Sequence, residues 1–576
     1  MAQMRLALAQ INPTVGDLTS NARAVREWTA KAAARSAQLV AFPEMMLTGY
    51  PVEDLALSSS FVEASRAALA ELATALASDG YGDLPVVVGY LDRAPYSLNE
   101  ENRPLPQNCA AVLHQGQVKA RYAKHHLPNY GVFDEFRIFA PGRELTVVRI
   151  SDVDVAIAIC EDLWQEGGPV ALTRQAGAEL LLVINGSPYE EDKDDVRYEL
   201  VARRAAEAGC TLAYLNMVGG QDELVFDGDS LVVNAAGQIL ARGPQFVEDL
   251  LVVDLDLAPS TVNAAAPSKG VVHVTLSDKA IPPYAAAPEL AARLDPVGEV
   301  YRALQLGLHD YVRKNGFRSV LLGVSGGIDS TLVATIAADA LGGENVVAVS
   351  NPSKYSSQGS RDDAAELAEN LGLDYRVIPI EPIVSAVLDS VKLTGVAEEN
   401  LQARVRAVIW MGLGNQEGHL VLTNSNKSEV SVGYSTLYGD SVGGYAPLKD
   451  VPKTMVWKLA RWRNDEARRR GEKPPIPLAS INKAPSAELR PGQVDQDSLP
   501  PYEVLDAILD RYVGGAQGRA ELIAAGFEAA VVDHVIGLVD SAEWKRRQFA
   551  PGPKISSLAF GRDRRLPITN RWREHD

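Results

Sequence analysis

Short apolar runs rich in β-branched residues alternate with alanine-rich amphipathic stretches along most of the 576-residue chain. In the first half a strand-like run at 4–10 precedes a helical pattern at 20–37 and a second apolar run at 38–42. In the second half the order is strand 319–324, helix from about Asp329, strand 346–350, helix 361–371 and strand 375–380. Alternation of this kind predicts α/β layers in both halves. Between them, at 257–296, the pattern breaks: Pro259, Pro267, Pro282, Pro283, Pro288 and Pro296 sit among alanines, which reads as a linker. The expected division is therefore a domain at 1–256, a linker at 257–296 and a second domain at 297–576, because a chain this long exceeds one core.

Composition narrows the class. No apolar run reaches the roughly 20 residues that span a bilayer, and the N-terminal MAQMRLALAQINP is too short and too weakly basic for a signal peptide. Three cysteines, Cys109, Cys160 and Cys210, cannot form a disulfide framework, so a reducing, cytoplasmic setting is expected. A net charge of −18 argues against nucleic-acid and membrane partners. Neither an HExxH nor a CxxC spacing occurs, which argues against a protein-built zinc site.

The run SVLLGVSGGIDSTLV at 319–333 is a strand, a glycine turn and a helix start. Glycines let backbone approach a ligand, and N–H groups converging on a helix N-terminus favour an anion. Gly323, Val324, Ser325, Gly326, Gly327, Ile328, Asp329 and Ser330 thus form a candidate pyrophosphate cradle. It has no lysine, unlike a Walker loop. A carboxylate beside polyphosphate is repulsive without a cation between them, so Asp329 predicts Mg²⁺. The plain alternative is a tight turn capped by Asp329 or Ser330.

The loop resembles that of the ATP pyrophosphatases, which adenylate an oxygen of the substrate and release pyrophosphate. EENLQARVR at 398–406, LTNSNKSEVSVGYSTLYGD at 422–440 and KAPSAELRPGQVDQDSLPPY at 483–502 resemble NAD synthetases more specifically. That resemblance implies ATP-dependent amidation of nicotinic acid adenine dinucleotide (deamido-NAD) on a Rossmann-like α/β domain with a parallel sheet. It implies Asp329 and Glu429 as Mg²⁺ carboxylates, with Glu429 near both nucleotides. It also places Asn400, Arg404 and Lys545 on the deamido-NAD side and Asn424 on ATP, where the family usually has threonine. Finally, it implies a homo-oligomer, at least a dimer through this domain.

VDVAIAI at 153–159 ends at Cys160, followed by Glu161 and Asp162, which would disfavour a thiolate if close. A thiol of ordinary pKa ~8.5 needs a base or a cation nearby to act as a nucleophile. FPE ends at Glu44, and KHHLP starts at Lys124, both near strand ends. Glu, Lys and Cys at strand ends can converge on one edge of an α/β sandwich. The three motifs, in order over about 4–255, resemble the nitrilase superfamily of amide and nitrile hydrolases, which implies an αββα sandwich. The resemblance implies Glu44 as base, Cys160 as nucleophile, Lys124 as oxyanion stabiliser and Glu135 as the group that orients the lysine. KHHLPNYGVFDE and LLVINGSPY look like the glutaminase half of NAD synthetases, which implies Tyr130, Ser187 and Lys193 as glutamine contacts. Cys109 and Cys210 match no such motif.

The two halves then fit one reaction, in which glutamine supplies the ammonia that attacks an adenylated deamido-NAD. Three rivals remain open. Another ATP-pyrophosphatase amidotransferase, such as a GMP synthetase, would lack the 483–502 segment. A nucleotide sensor on a dead fold would tend to have lost Asp329 or Cys160. An amidase with an accessory nucleotide domain would leave the acidic pair Asp329 and Glu429 without a purpose.

Overall fold

Strand Ala2–Gln10 shows how a period of two builds layers. Met4, Leu6 and Leu8 point into one core, whereas Ala7 and Ala9 point into another. The large side chains fill the space between two sheets. The alanines lie under helices Leu18–Ala34 and Ser59–Ser78, where small residues let helix and sheet approach. In this computed structural model, which describes residues 2–98, 104–261, 269–277, 290–572 and 574, that strand belongs to a six-stranded sheet. Its order is Asp249–Leu257, Ala2–Gln10, Leu39–Ala41, Val86–Leu98, Pro104–His114, Gln117–Ala123. The facing sheet has seven strands: Ile239–Arg242, Leu231–Val233, Thr211–Asn216, Leu180–Asn185, Val153–Ile159, Leu145–Ile150 and Val271–Ser277. Helices Gly168–Ala176 and Lys193–Ala208 pack on it, which completes an αββα sandwich.

The chain divides into two compact units, Met1–Gln221 with Phe226–Leu294, and Asp222–Val225 with Asp295–Asp576. The stretch expected as a linker carries the strand Val271–Ser277, parallel to Leu145–Ile150. Its β-branched run VVHVT satisfies a sheet edge, so the first unit extends to Leu294. Pro267, Pro282, Pro283 and Pro288 lie outside the described residues. Pro296 opens helix Pro296–Lys314, where its missing N–H costs nothing, and Asp295 caps that helix by accepting the Gly298 N–H at 3.0 Å.

The second unit holds a four-stranded sheet, ordered Asp374–Val377, Val346–Ser350, Val320–Gly323, Leu420–Val421, with every pair parallel. Chain order reverses at Val320–Gly323, so the loops after it and after Leu420–Val421 lie side by side at the carboxyl ends of their strands. Ligands bind open parallel sheets at such a reversal. Helix Ile328–Leu341 starts within one residue of the expected Asp329, at the edge of the glycine turn. Among the described residues no helix is long and apolar enough to cross a membrane.

Candidate active sites

Glu44 lies just past strand Leu39–Ala41 and is fully buried. Its Oε1 accepts from Asn108 Nδ2 at 2.6 Å and from Lys124 Nζ at 2.8 Å, and its Oε2 accepts from the Gly186 N–H at 2.7 Å. Lys124 follows directly after strand Gln117–Ala123, and its Nζ also lies 2.8 Å from Glu135 Oε2. Tyr50 OH donates to Glu135 Oε1 at 3.0 Å. Burial opposes the charge on Lys124, but Glu135 and Glu44 outweigh it and hold its pKa well above the ordinary value. Burial pushes the Glu135 carboxyl up, with Lys124 opposing.

Cys160 ends the run Val153–Ile159 at a backbone φ of 45°, an uncommon conformation for a residue with a side chain, and begins a short 3₁₀ turn. Asp162 in that turn stitches the cysteine to the lysine segment. Its Oδ1 accepts the His125 and His126 N–H groups at 3.1 and 2.8 Å. Its Oδ2 accepts Tyr122 OH at 2.6 Å and the Ile159 N–H at 2.9 Å. Burial raises the thiol pKa, the Glu44 carboxylate raises it further, and Lys124 opposes both. The proton thus rests on sulfur, within the electrostatic reach of Glu44.

Tyr130 is about half exposed, and its OH donates to Glu161 Oε2 at 2.8 Å, next to the cysteine. Glu161, read in the sequence only as a charge adverse to thiolate, also accepts from Gln165 at 3.2 Å and faces Tyr130 as a built acidic position. Ser187 is buried, with its N–H donating to Asn216 Oδ1 at 2.9 Å and its carbonyl accepting from Asn216 Nδ2 at 3.1 Å. Lys193 opens helix Lys193–Ala208 and lies 3.7 Å from Glu190. Cys109 and Cys210 are buried, and burial pushes each thiol up to about 12.

In the second unit the glycine turn is shaped by its own serines. Gly327 N–H donates to Ser325 Oγ at 3.2 Å, and Ser330 Oγ donates to the Gly327 carbonyl at 3.1 Å. Gly326 has φ 77°, and a Cβ there would meet the Ser360 carbonyl oxygen at 2.2 Å, so only glycine fits. Asn424, after strand Leu420–Val421, donates to the Gly323 carbonyl at 2.9 Å. Its Oδ1 is buried without a partner among the described residues. Asn426 donates to Asp329 Oδ1 at 2.8 Å and caps helix Lys427–Val432, accepting the Glu429 N–H at 3.0 Å.

The lysine missing from the loop arrives from Lys453. Its buried Nζ donates to Asp329 Oδ2 and lies 3.5 Å from Glu429 Oε1. Burial, and secondarily Asp329, push the Glu429 carboxyl up. Asn400, Arg404 and Lys545 meet the segment 433–437: Asn400 Oδ1 accepts from Thr436 Oγ1 at 2.7 Å, Arg404 donates to the Leu437 carbonyl at 3.2 Å, and Lys545 Nζ donates to the carbonyls of Gly433 and Ser435 at 2.8 and 3.0 Å.

Residues 5–262 match the carbon-nitrogen hydrolase family model, and residues 300–549 match the NAD synthase model. The glutamine-dependent NAD(+) synthetase of Rhodobacter capsulatus is 46% identical over 99% of both chains. The chain belongs to the glutamine-dependent NAD(+) synthetases. The Thermotoga maritima enzyme of the same name is 43% identical over the full length of both. The solved structure of the Acinetobacter baumannii synthetase in complex with adenosine diphosphate has a TM-score of 0.73 and 39% identity over 100% of both chains. A Cytophaga hutchinsonii synthetase, at 22% identity and TM-score 0.79, shares the fold. The chain is thus an ATP-dependent ligase that takes its amide nitrogen from glutamine.

Proposed function

We propose that the two reactions are divided between the two side-chain clusters, and that Glu44, Lys124 and Cys160 release ammonia from glutamine. The observation that carries this is Glu44: a fully buried carboxylate with a lysine on one oxygen and a backbone N–H on the other, in the field of a thiol that holds its proton. Glu44 takes the proton of Cys160 as sulfur attacks the amide carbon. Lys124 stabilises the oxyanion that forms. Glu44 hands that proton to the amide nitrogen, which departs as ammonia and leaves a thioester, and the freed carboxylate then activates the water that cleaves it to glutamate. Glu135 keeps Lys124 charged and oriented. Tyr130, on the Glu161 side of Cys160, and Ser187 contact glutamine, and Lys193 contributes from the first turn of its helix.

At the second cluster the 323–330 loop binds the phosphates of ATP. Asp329 and Glu429 would hold Mg²⁺. Two carboxylates already held close by a single lysine suit an ion that takes one or two protein carboxylates and otherwise phosphate and water. When bound, the ion would supply the charge that screens the triphosphate and the departing pyrophosphate. Lys453 supplies the positive charge that the loop lacks, and Asn424 Oδ1 accepts a hydrogen bond from the nucleotide. Asn400, Arg404 and Lys545 set the 433–437 segment against deamido-NAD. The protein works as a homo-oligomer in the cytoplasm, with no nucleic acid or membrane partner.

Incubation with ATP, Mg²⁺, deamido-NAD and glutamine, followed by nucleotide separation, tests this division. Wild-type protein yields NAD, AMP and pyrophosphate. Wild-type yields from both Glu44→Gln and Lys124→Met would refute the assignment.

A further inference from the structure

Strand Pro104–His114 alternates between two apolar layers: Ala110 and Val112 face the core between the sheets, while Cys109, Ala111 and Leu113 face the helices. The same period puts Asn108 on the face of Ala110 and Val112. An amide side chain there is only 1% exposed, where an uncompensated polar group is costly. Its Nδ2 is compensated by a single acceptor, Glu44 Oε1, at 2.6 Å. Its Oδ1 is buried without a partner among the described residues. The orientation of the amide follows from charge: a flipped amide would set its oxygen against a carboxylate oxygen. The backbone carbonyl of Asn108 also accepts the Lys124 N–H at 2.9 Å, across the hairpin that pairs Cys109 with Ala123. One residue therefore reaches the proposed base through its side chain and the proposed oxyanion stabiliser through its backbone.

We propose that Asn108 is the positioning residue of the amidase site, holding the Glu44 carboxyl in place through its side-chain amide and fixing the backbone from which Lys124 reaches the same oxygen. The inference rests on the assignment of Glu44 and Cys160 above. Only the side-chain half is removable by substitution. Without the amide donor the Glu44 carboxylate loses one of the three hydrogen bonds it accepts among the described residues, those from Asn108, Lys124 and Gly186, while the charged and titratable groups that face it, Lys124, Glu135, Cys160 and Tyr50, stay in place. Protonation then competes at higher pH, and the acid limb of glutamine hydrolysis moves upward. A carboxylate at the same position adds repulsion and moves it further.

The test measures glutamate release by the full-length protein across the neutral range for wild type, Asn108→Ala and the isosteric Asn108→Asp. The expected result is a graded upward shift of the acid limb, wild type lowest and Asn108→Asp highest. The glutamine kcat of Asn108→Ala falls about 10- to 100-fold, the span of one charge-assisted hydrogen bond, with a small change in KM. An unshifted limb in folded Asn108→Ala and Asn108→Asp overturns the proposal. So does loss of thermal stability in both variants without a shift, which makes Asn108 a fold residue only. A wild-type rate in Glu44→Gln instead removes the base assignment on which the proposal stands.

Discussion

At the scale of the residue, the two clusters solve the same charge problem. In the amidase cluster one lysine sits between two buried carboxylates, Glu44 and Glu135, and keeps its own proton. In the synthetase cluster Lys453 performs the same service for Asp329 and Glu429. Burial and the Glu44 carboxylate keep Cys160 protonated, so its nucleophilicity depends on the base rather than on a standing thiolate. Replacing Cys160 with Ala is expected to abolish glutamine-driven NAD synthesis while ammonia-driven synthesis persists. Parallel assays with glutamine and with ammonium chloride check this, and loss of both in folded protein would move the nucleophile elsewhere. Asp329→Asn and Lys453→Met are each expected to lower synthesis from both nitrogen sources, by roughly 10²- to 10³-fold, the usual cost of one electrostatic group at a reacting phosphate or oxyanion. Wild-type pyrophosphate release by either variant counts against its role. Asp329 was legible in the sequence because it stands inside the glycine turn. Lys453 was not: it lies 124 positions away, and only the fold brings it to the turn.

Elements explain which parts could be read in advance. Strands Val153–Ile159 and Val346–Ser350 have the bounds their apolar runs predict, because both are fully buried and nothing else in the chain competes for those residues. Helix starts were less legible. Helix Ile328–Leu341 begins within one residue of the expected Asp329, but Gln358–Leu371 begins where Ser357 accepts the Ser360 N–H, three residues before the expected start. Strand Val271–Ser277 carried its signal in VVHVT, but the surrounding prolines and alanines dominated the reading. The 433–437 segment shows the same limit: Asn400, Arg404 and Lys545 come from a helix, the same helix, and a distant short helix, and no spacing predicts that they share one loop. Lys545 donates to two of its carbonyls, and burial lowers its pKa. Lys545→Ala is therefore expected to raise the KM for deamido-NAD several-fold and leave the KM for ATP nearly unchanged. Steady-state kinetics with each substrate varied in turn decide it, and an equal rise in both constants would mean that the lysine holds the whole site rather than this segment.

At the scale of the molecule, the sequence made both domain types legible because each carries its chemistry in short runs: three ordered motifs in the first, a glycine turn and its companions in the second. The boundary was not, since a strand of the first unit lies inside the proline-rich stretch. The joining of two chemistries in one chain has a consequence for nitrogen. Ammonia freed into neutral water mostly gains a proton, and ammonium has no lone pair with which to attack an adenylate. Dilution lowers its encounter with the acceptor further. An enzyme that uses glutamine nitrogen productively must therefore deliver it before it equilibrates with solvent, along a route that keeps it neutral. We expect NAD made from ¹⁵N-amide glutamine in an excess of unlabelled ammonium to carry ¹⁵N far beyond the bulk isotope ratio. Mass spectrometry of the nicotinamide group reads the result directly. The experiment also separates delivery from catalysis, because Cys160→Ala in the same mixture incorporates only unlabelled nitrogen. Label at the bulk ratio in the wild-type protein would mean that the two chemistries share a chain and no protected path.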